Sequence, residues 1–224
     1  MTHPGKIRNR ITRVLIVDDH PAVREGLAYR IAHLEDLEVC GEAADVATAV
    51  KLVDDFAPHV VIVDISLEES NGIDLIKQLA TTHGAVKILV HTMYEESLYA
   101  DRALDAGAMG FINKREAPEQ VIKAIRKVAA GEVYVSDEMT QRILARQRGE
   151  QVTDHRPLVG RLSDRELEVF DLIGHGTTTS EIAKRLHLSS HTIDTHREHI
   201  KAKLGLRNAA ELNHRAVAWV LENR

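Results

Sequence analysis

Pro58-His59-Val60-Val61-Ile62-Val63-Asp64-Ile65-Ser66 is the stretch that decides the fold. Four branched apolar residues in a row, closed by one carboxylate, read as a strand buried on both faces of a parallel sheet. Such a strand delivers Asp64 to the sheet's carboxyl edge, where open α/β folds place their ligands. A lone Asp at a strand end serves more often as a turn or cap residue than as a reactive group. What the other strands bring to the same edge decides between those roles.

The pattern repeats on either side. Arg13-Val14-Leu15-Ile16-Val17 is a second apolar strand, ending in Asp18-Asp19. Leu37 to Cys40 predicts a short strand, Val86-Lys87-Ile88-Leu89-Val90 one that ends at His91-Thr92, and Met109-Gly110-Phe111-Ile112 one that ends at Asn113-Lys114. Helical patterns fall between them. Pro21 opens the first, with Val23, Leu27, Ile31 and Leu34 on one stripe, and Val46 to Phe56 forms the second. Gly72 leads into a third through Ile73, Ile76 and Leu79, a fourth covers 96–106, and Pro118 starts a fifth through Val121, Ile125 and Val128. Five strands alternating with five helices call for a five-stranded parallel, doubly wound sheet of the flavodoxin-like kind over 12–131.

The chain of 224 residues has room for a second domain, and its 44% hydrophobic content supports a proper core. Aromatic residues are only 4%, which disfavours base-stacking or carbohydrate-binding surfaces. The net charge of −5 is uneven: residues 161–224 carry 10 basic and 9 acidic side chains and six of the 13 histidines, and within 180–215 seven bases face four acids. That tilt suits a polyanion partner. Cys40 is the single cysteine, which excludes a disulfide framework and points to a reducing compartment. The start of the chain has no apolar segment of a signal peptide and no run approaches 18 apolar residues, so a cytoplasmic protein without membrane contact is expected.

Residues 1–10 read as a loose tail and 132–158 as a linker, although Gln141 to Arg146 could prolong a helix. From 159 to 224 the pattern is helical throughout, a second, smaller all-α domain of four helices. Ser163-Asp164-Arg165-Glu166 and Thr178-Thr179-Ser180-Glu181 both fit the capping box. Gly174 and Gly176 separate the first two helices. Ser189 can cap a third, with Ile193, Ile200 and Leu204 inward and Gly205 as its stop, and Asn208 to Leu221 forms the fourth.

In a parallel sheet every strand's carboxyl end lies at one edge, so Asp18, Asp19, Asp64, Thr92 and Lys114 become neighbours. Three carboxylates together repel one another and need a cation, and oxygen donors at this density suit Mg²⁺. With metal bound, Asp64 is placed as a nucleophile toward a phosphoryl group, with Lys114 and the Thr92 hydroxyl on the transferred oxygens. Taken singly, each residue has an ordinary alternative as loop acid, strand-end hydroxyl or solvated lysine. Acid pair, acid, hydroxyl and lysine at successive strand ends make chance a poor explanation.

With these residues in place, 12–131 resembles the receiver domain of bacterial two-component response regulators. The resemblance implies phosphoryl transfer from a phosphohistidine of a sensor histidine kinase to Asp64. It implies Mg²⁺ held by Asp19, Asp64 and the backbone carbonyl of Ser66, with Asp18 acting mostly through water. Thr92 and Lys114 fall to the phosphoryl oxygens, and Phe111 to the aromatic switch position beside Thr92, against the alternative of an ordinary core residue. Leu67-Glu68 replaces the Met-Pro of many receivers, and Arg115 stands where Pro is more usual after the lysine. Both changes bear on loop shape, hence on phosphoryl lifetime and kinase choice.

Helix, glycine break, helix, tight turn and helix is a helix-turn-helix layout, whose last helix enters the DNA major groove. Leu162 to Val169, with Glu181-Ile182-Ala183, Thr192-Ile193, His196, Ile200 and Lys203-Leu204, resembles the LuxR-type output domain. Joined to a receiver, it is similar to the NarL/FixJ family, which implies a transcription regulator, double-stranded DNA as partner, and a homodimer on phosphorylation through the last helix. The family alignment makes Asp194, Thr195 and Glu198 base-facing, and relatives often carry Lys at two of these positions. An acid can accept from cytosine N4 but repels phosphates. Backbone contacts then fall to Lys184, Arg185, Arg197, Lys201, Lys203 and Arg207, with Ser190 and Thr192 as neutral donors. His196 reads as a packed core histidine, and no zinc site is expected. The competing reading is a Mg²⁺-dependent phosphohydrolase with Asp64 as nucleophile. Such enzymes of the haloacid-dehalogenase type need a second Asp two residues on, where this chain has Ser66. A receiver that signals by protein contact without phosphorylation is a third possibility, disfavoured by the intact acid pair and Lys114. No enzymatic turnover is expected.

Overall fold

The computed structural model describes residues 11–67, 70–148, 158–186 and 188–222. The expected amino-terminal tail, Glu68 in the loop after Asp64, and 149–157 of the expected linker lie outside them. The chain forms two compact units, one of residues up to Thr92 with Ala103–Tyr134, the other of Met93–Arg102 with Val135 onward.

In the first unit, β1 (Thr12–Val17), α1 (Pro21–Ile31), β2 (Leu37–Ala43), α2 (Val46–Phe56) and β3 (Val60–Val63) follow one another. After β3 a two-rung antiparallel ladder, β4 (Ser66–Leu67) with β5 (Ser70–Asn71), leads into α3 (Gly72–Thr82). Then come β6 (Lys87–Thr92), α4 (Glu96–Ala106), β7 (Gly110–Asn113) and α5 (Pro118–Ala129). The five main strands are parallel in the order β2-β1-β3-β6-β7, the flavodoxin-like order, whose switch point lies between β1 and β3. β3 is wholly buried, because the strand has sheet on both sides and helices above and below. Val14, Ile16, Val60, Ile62, Leu89 and Ile112 share one cluster with Leu27 and Ile31 of α1 and Val121, Ile125 and Val128 of α5. Leu15 and Leu52 of α2 both crowd Gly41, where a Cβ would lie 3.2 and 3.3 Å from them.

Some boundaries differ from the sequence reading. β2 runs on to Ala43 rather than Cys40, across a register shift at Val14/Leu15. The pattern fades at Gly41-Glu42 because backbone pairing, not side-chain burial, carries the strand there. α1 ends at Ile31, so Leu34 lies past it in a turn closed by its amide on the Ile31 carbonyl (2.9 Å), and still packs on the core. β6 takes in His91 and Thr92, which pair with Ile112 and Asn113. At the amino edge of the sheet, Arg13 donates to the Ala57 carbonyl (2.9 Å) and Lys87 to the Ala129 carbonyl (2.8 Å), closing the carboxyl ends of α2 and α5.

The second unit holds the first turns of α4 and then α6 (Asp137–Gln147), α7 (Asp164–Gly174), α8 (Thr179–Arg185), α9 (Ser190–Leu204) and α10 (Ala209–Glu222). Most of the expected linker before Gln147 is therefore a full helix, α6. Its apolar signal is faint because Met139 is its one fully buried side chain among the described residues. Both capping boxes are formed, at Ser163/Glu166 and Thr178/Glu181. Ser189 caps α9, and Gly205 ends it at φ 68°, a left-handed conformation that suits glycine. Phe170 and Trp219 pack with ring centres 5.7 Å apart, and Gly174 lets α10 approach so closely that a Cβ would sit 2.5 Å from the Ala216 carbonyl. Within this unit Arg102 of α4 donates to Asp164 (2.7 Å) and to the Gly160 and Leu162 carbonyls, and the Tyr94 hydroxyl donates to Asp171 (3.0 Å). Among the described residues no helix is long and apolar enough to cross a membrane.

Candidate functional site

The register of the central strands builds the site. Val17 of β1 and Val63 of β3 are direct partners, so Asp18 and Asp64 leave the sheet side by side. Each is fixed by its own amide, Asp18 to the Ala43 carbonyl (3.0 Å) and Asp64 to the Val17 carbonyl (2.9 Å). Thr92 ends β6 fully buried, and its carbonyl accepts from the Lys114 amide at 2.8 Å. Four separate strand ends thus meet as the parallel topology requires.

The Lys114 ammonium lies 2.6 Å from Asp18 Oδ2 and 2.6 Å from Asp64 Oδ2. Both carboxylates are almost sealed from solvent, at 2% exposure each. Asp64 also accepts hydrogen bonds from the Thr92 hydroxyl and from the Ser66 amide, the latter at 3.2 Å. Burial pushes the Asp64 carboxyl up from 3.8, with Lys114 and Thr92 opposing and Asp18 adding repulsion. Burial works against the Lys114 charge, but Asp64 and Asp18 outweigh it and raise its pKa. A buried acid pair held by one lysine is short of positive charge, the condition that favours a divalent cation.

One donor atom each from Asp18, Asp19, His20 and Asp64 lies within 4.8 Å of the others. Three of the four are carboxylate oxygens, a donor set that fits a hard cation such as Mg²⁺. Asp19 is half-buried and Ser66 is exposed in β4.

Three neighbours escaped the sequence reading. His20 Nδ1 lies 2.6 Å from Asp19 Oδ1, a contact its place directly after the acid pair could have signalled. His91 is buried beside the nest, and burial, then Lys114, lower its pKa to about 4, so it stays neutral. Gly72 opens α3 directly against the Asp64 backbone: a Cβ there would be 2.1 Å from the Asp64 carbonyl oxygen. In the sequence Gly72 reads only as a helix start. Phe111 is buried in β7 as Val90's partner, two residues before the strand end that pairs with Thr92.

In the helical unit, α9 buries Ile193 and Ile200 and exposes Asp194, Thr195 and Glu198. Leu204, expected inward, is half-buried. Lys184, Arg185 and Ser190 are exposed, whereas the half-buried Thr192 has its hydroxyl against that of Ser189 (2.8 Å). Arg197 donates to Asn213 (3.3 Å), Lys201 pairs with Glu198 (2.9 Å) and Arg207 with Glu211 (2.9 Å). Lys203 reaches the buried Glu166 at 2.6 Å, which ties it to the capping box of α7. His196 is half-buried rather than core, and burial lowers its pKa.

Residues 14–126 match the family model described as the response regulator receiver domain, and residues 160–216 match that of the bacterial regulatory proteins of the luxR family. Response regulator UvrY of Escherichia coli strain K12 is 32% identical over 210 residues, covering 94% of this chain and 95% of UvrY. Oxygen regulatory protein NreC of Staphylococcus aureus strain JH9 is 34% identical over 207 residues, 89% of this chain and 94% of NreC. Among solved structures, the RcsB response regulator of Salmonella typhimurium superposes with a TM-score of 0.72 at 28% identity, covering 93% of this chain and 98% of RcsB. RcsB bound to the promoter rprA in the presence of the phosphomimetic BeF3⁻ gives 0.67 at 28% identity, over 92% of this chain and 98% of that one.

Proposed function

The chain belongs to the two-component response regulators of the NarL/FixJ family, a receiver followed by a luxR-type DNA-binding domain, and on that premise we propose that it regulates transcription under the control of Mg²⁺-dependent phosphorylation at Asp64. The phosphodonor is the phosphohistidine of a sensor kinase. An Asp64 carboxylate oxygen attacks phosphorus, the P–N bond breaks with its electron pair going to the departing imidazole, and an aspartyl phosphate forms. Asp19, Asp64 and the Ser66 carbonyl would hold Mg²⁺, with Asp18 acting through water. The ion, when bound, neutralises charge on the phosphoryl oxygens. Lys114 and the Thr92 hydroxyl take the remaining oxygens, and the buried walls keep out the water that would hydrolyse the product.

The observation that carries this reading is the Lys114 ammonium at 2.6 Å from the Asp64 carboxylate, aimed at the atom that would carry the phosphoryl group. Adding a charge of about −1.5 to −2 there draws Thr92 and Lys114 inward, and Phe111 repacks behind Thr92. That biases an equilibrium between two arrangements of the chain. In the active one α9 enters the major groove, with Asp194, Thr195 and Glu198 at base edges. Lys184, Arg185, Arg197, Lys201 and Arg207 serve the phosphates together with Ser190 and Thr192. Lys203, held by Glu166, contributes least. Two copies pair through α10, whose Val217 and Leu221 are exposed apolar side chains. The chain works in the cytoplasm, accepts one phosphoryl group per molecule, and turns over no substrate of its own.

The test compares the parent chain with Asp64→Asn, each with Mg²⁺ and a small-molecule phosphodonor. Dimer content and DNA selected from a random pool are the readouts. The parent gains both and the variant gains neither; an equal gain in Asp64→Asn overturns the assignment.

A further inference from the structure

Four atoms of Asp18 are held in place. Its amide donates to the Ala43 carbonyl (3.0 Å), its Oδ1 accepts from the His20 amide (3.0 Å), and its Oδ2 faces Lys114 (2.6 Å). Its own carbonyl accepts from Arg24 Nη1 at 2.6 Å, a contact made by a side chain outside the acid nest. Arg24 sits on the first turn of α1 with its side chain 18% exposed, and its Nε lies 3.6 Å from Glu42 at the end of β2. Glu42 directly precedes Ala43, so one strand end holds the Asp18 amide and also the guanidinium that holds the Asp18 carbonyl.

We infer that Arg24, braced by Glu42, is a positioning residue that sets the cation-binding turn Asp18-Asp19-His20. The inference rests on the proposed metal and phosphoryl role of that turn. The Asp18–Asp19 peptide joins two carboxylates, and its orientation decides where the Asp19 carboxylate points. A carbonyl left without a donor would turn toward water and carry the peptide, and so Asp19, with it. Arginine suits the task because its planar fork can hold a carbonyl and a carboxylate at once, whereas a lysine ammonium is a single point. Groups that orient metal ligands from behind characteristically change metal affinity by about 10–100-fold when removed.

The test measures Mn²⁺ affinity on the full chain by titration of the free ion, Mn²⁺ standing in for Mg²⁺. It also measures phosphorylation by a small phosphodonor across a range of Mg²⁺. Arg24→Ala should weaken Mn²⁺ binding about tenfold and raise half-saturating Mg²⁺ to match, while the phosphorylation rate at saturating Mg²⁺ stays within a few-fold. Arg24→Lys, which keeps the charge and is the gentler change for folding, should fall between. Glu42→Ala should weaken binding in the same sense, and the double variant should be no worse than Arg24→Ala, since both remove one brace. Mn²⁺ affinity within twofold of the parent in Arg24→Ala and Arg24→Lys overturns the inference alone. A parent chain that binds no Mn²⁺ and accepts no phosphoryl group overturns both it and the reading of the site.

Discussion

Gly72→Ala adds one methyl group at the point where α3 starts against the phosphoryl-acceptor strand. The new Cβ would lie 2.1 Å from the Asp64 carbonyl oxygen, 2.8 Å from Ile65 Cα and 2.9 Å from the Asp64 carbonyl carbon. All three are backbone atoms, so no side chain can swing aside. Ordinary contact begins near 3.4 Å, so α3 and the Asp64 backbone must separate by roughly 1 Å, a strain of the kind that costs about 1–3 kcal/mol. The same shift moves the carboxylate that must meet phosphorus in line, and a displacement of about 1 Å at a reacting group can cost on the order of 10²-fold in rate. Gly26→Ala is the control: it sits in α1 with nothing within 4 Å of the added Cβ, and should gain up to about 1 kcal/mol from helix propensity. Denaturant unfolding reads the stability, and intact-mass measurement of phosphorylated chain with a small phosphodonor reads the rate. The reasoning fails if Gly72→Ala unfolds at the parent's denaturant concentration and is phosphorylated at the parent's rate.

Lys114→Ala leaves Asp18 and Asp64 buried without their shared cation, and should cost about 3 kcal/mol at neutral pH; Mg²⁺ should recover much of that loss in thermal unfolding, a recovery absent in Lys114→Ala combined with Asp64→Asn. Because burial raises the Asp64 pKa above 3.8, its ionisation weakens the folded state progressively as pH rises from 3.8 through the raised value, and stabilisation by Mg²⁺, which needs the ionised carboxylate, should weaken as pH falls through that same raised value. Glu166 behaves in the opposite sense. Burial would raise its pKa, but Lys203 and Ser163 lower it from 4.5, so its contribution is present above 4.5 and is lost as pH falls through the depressed value; Glu166→Gln should remove that part of the acid sensitivity of the helical domain, as followed by Trp219 fluorescence.

The acid nest was legible because it needs only periodicity and parallel topology. Apolar runs ending in Asp18, Asp64, Thr92 and Lys114 must bring those residues to one edge once the strands run parallel, whatever the loops do. The two capping boxes were equally local, since both partners lie within four residues. In the sequence Lys203 reads as a DNA contact, because a surface lysine on an amphipathic helix looks alike whether it faces solvent or a buried acid on another helix. Its bond to Glu166, 37 residues away, exists only after α7 and α9 pack. The α6 segment reads as linker because a helix with so little buried apolar surface leaves almost no hydrophobic period.

What the amino-acid order determined by itself was the alternation of buried strands with amphipathic helices, the helix-turn-helix layout, and which chemical groups would meet at the sheet's edge. What tertiary structure alone decided was how those groups are held: a glycine pressed against the Asp64 backbone and an arginine on the Asp18 carbonyl. The physical reason is the range of the forces. Hydrophobic burial writes a period into neighbouring residues, whereas a hydrogen bond or a close approach between distant segments depends on distances that no pattern in the chain records.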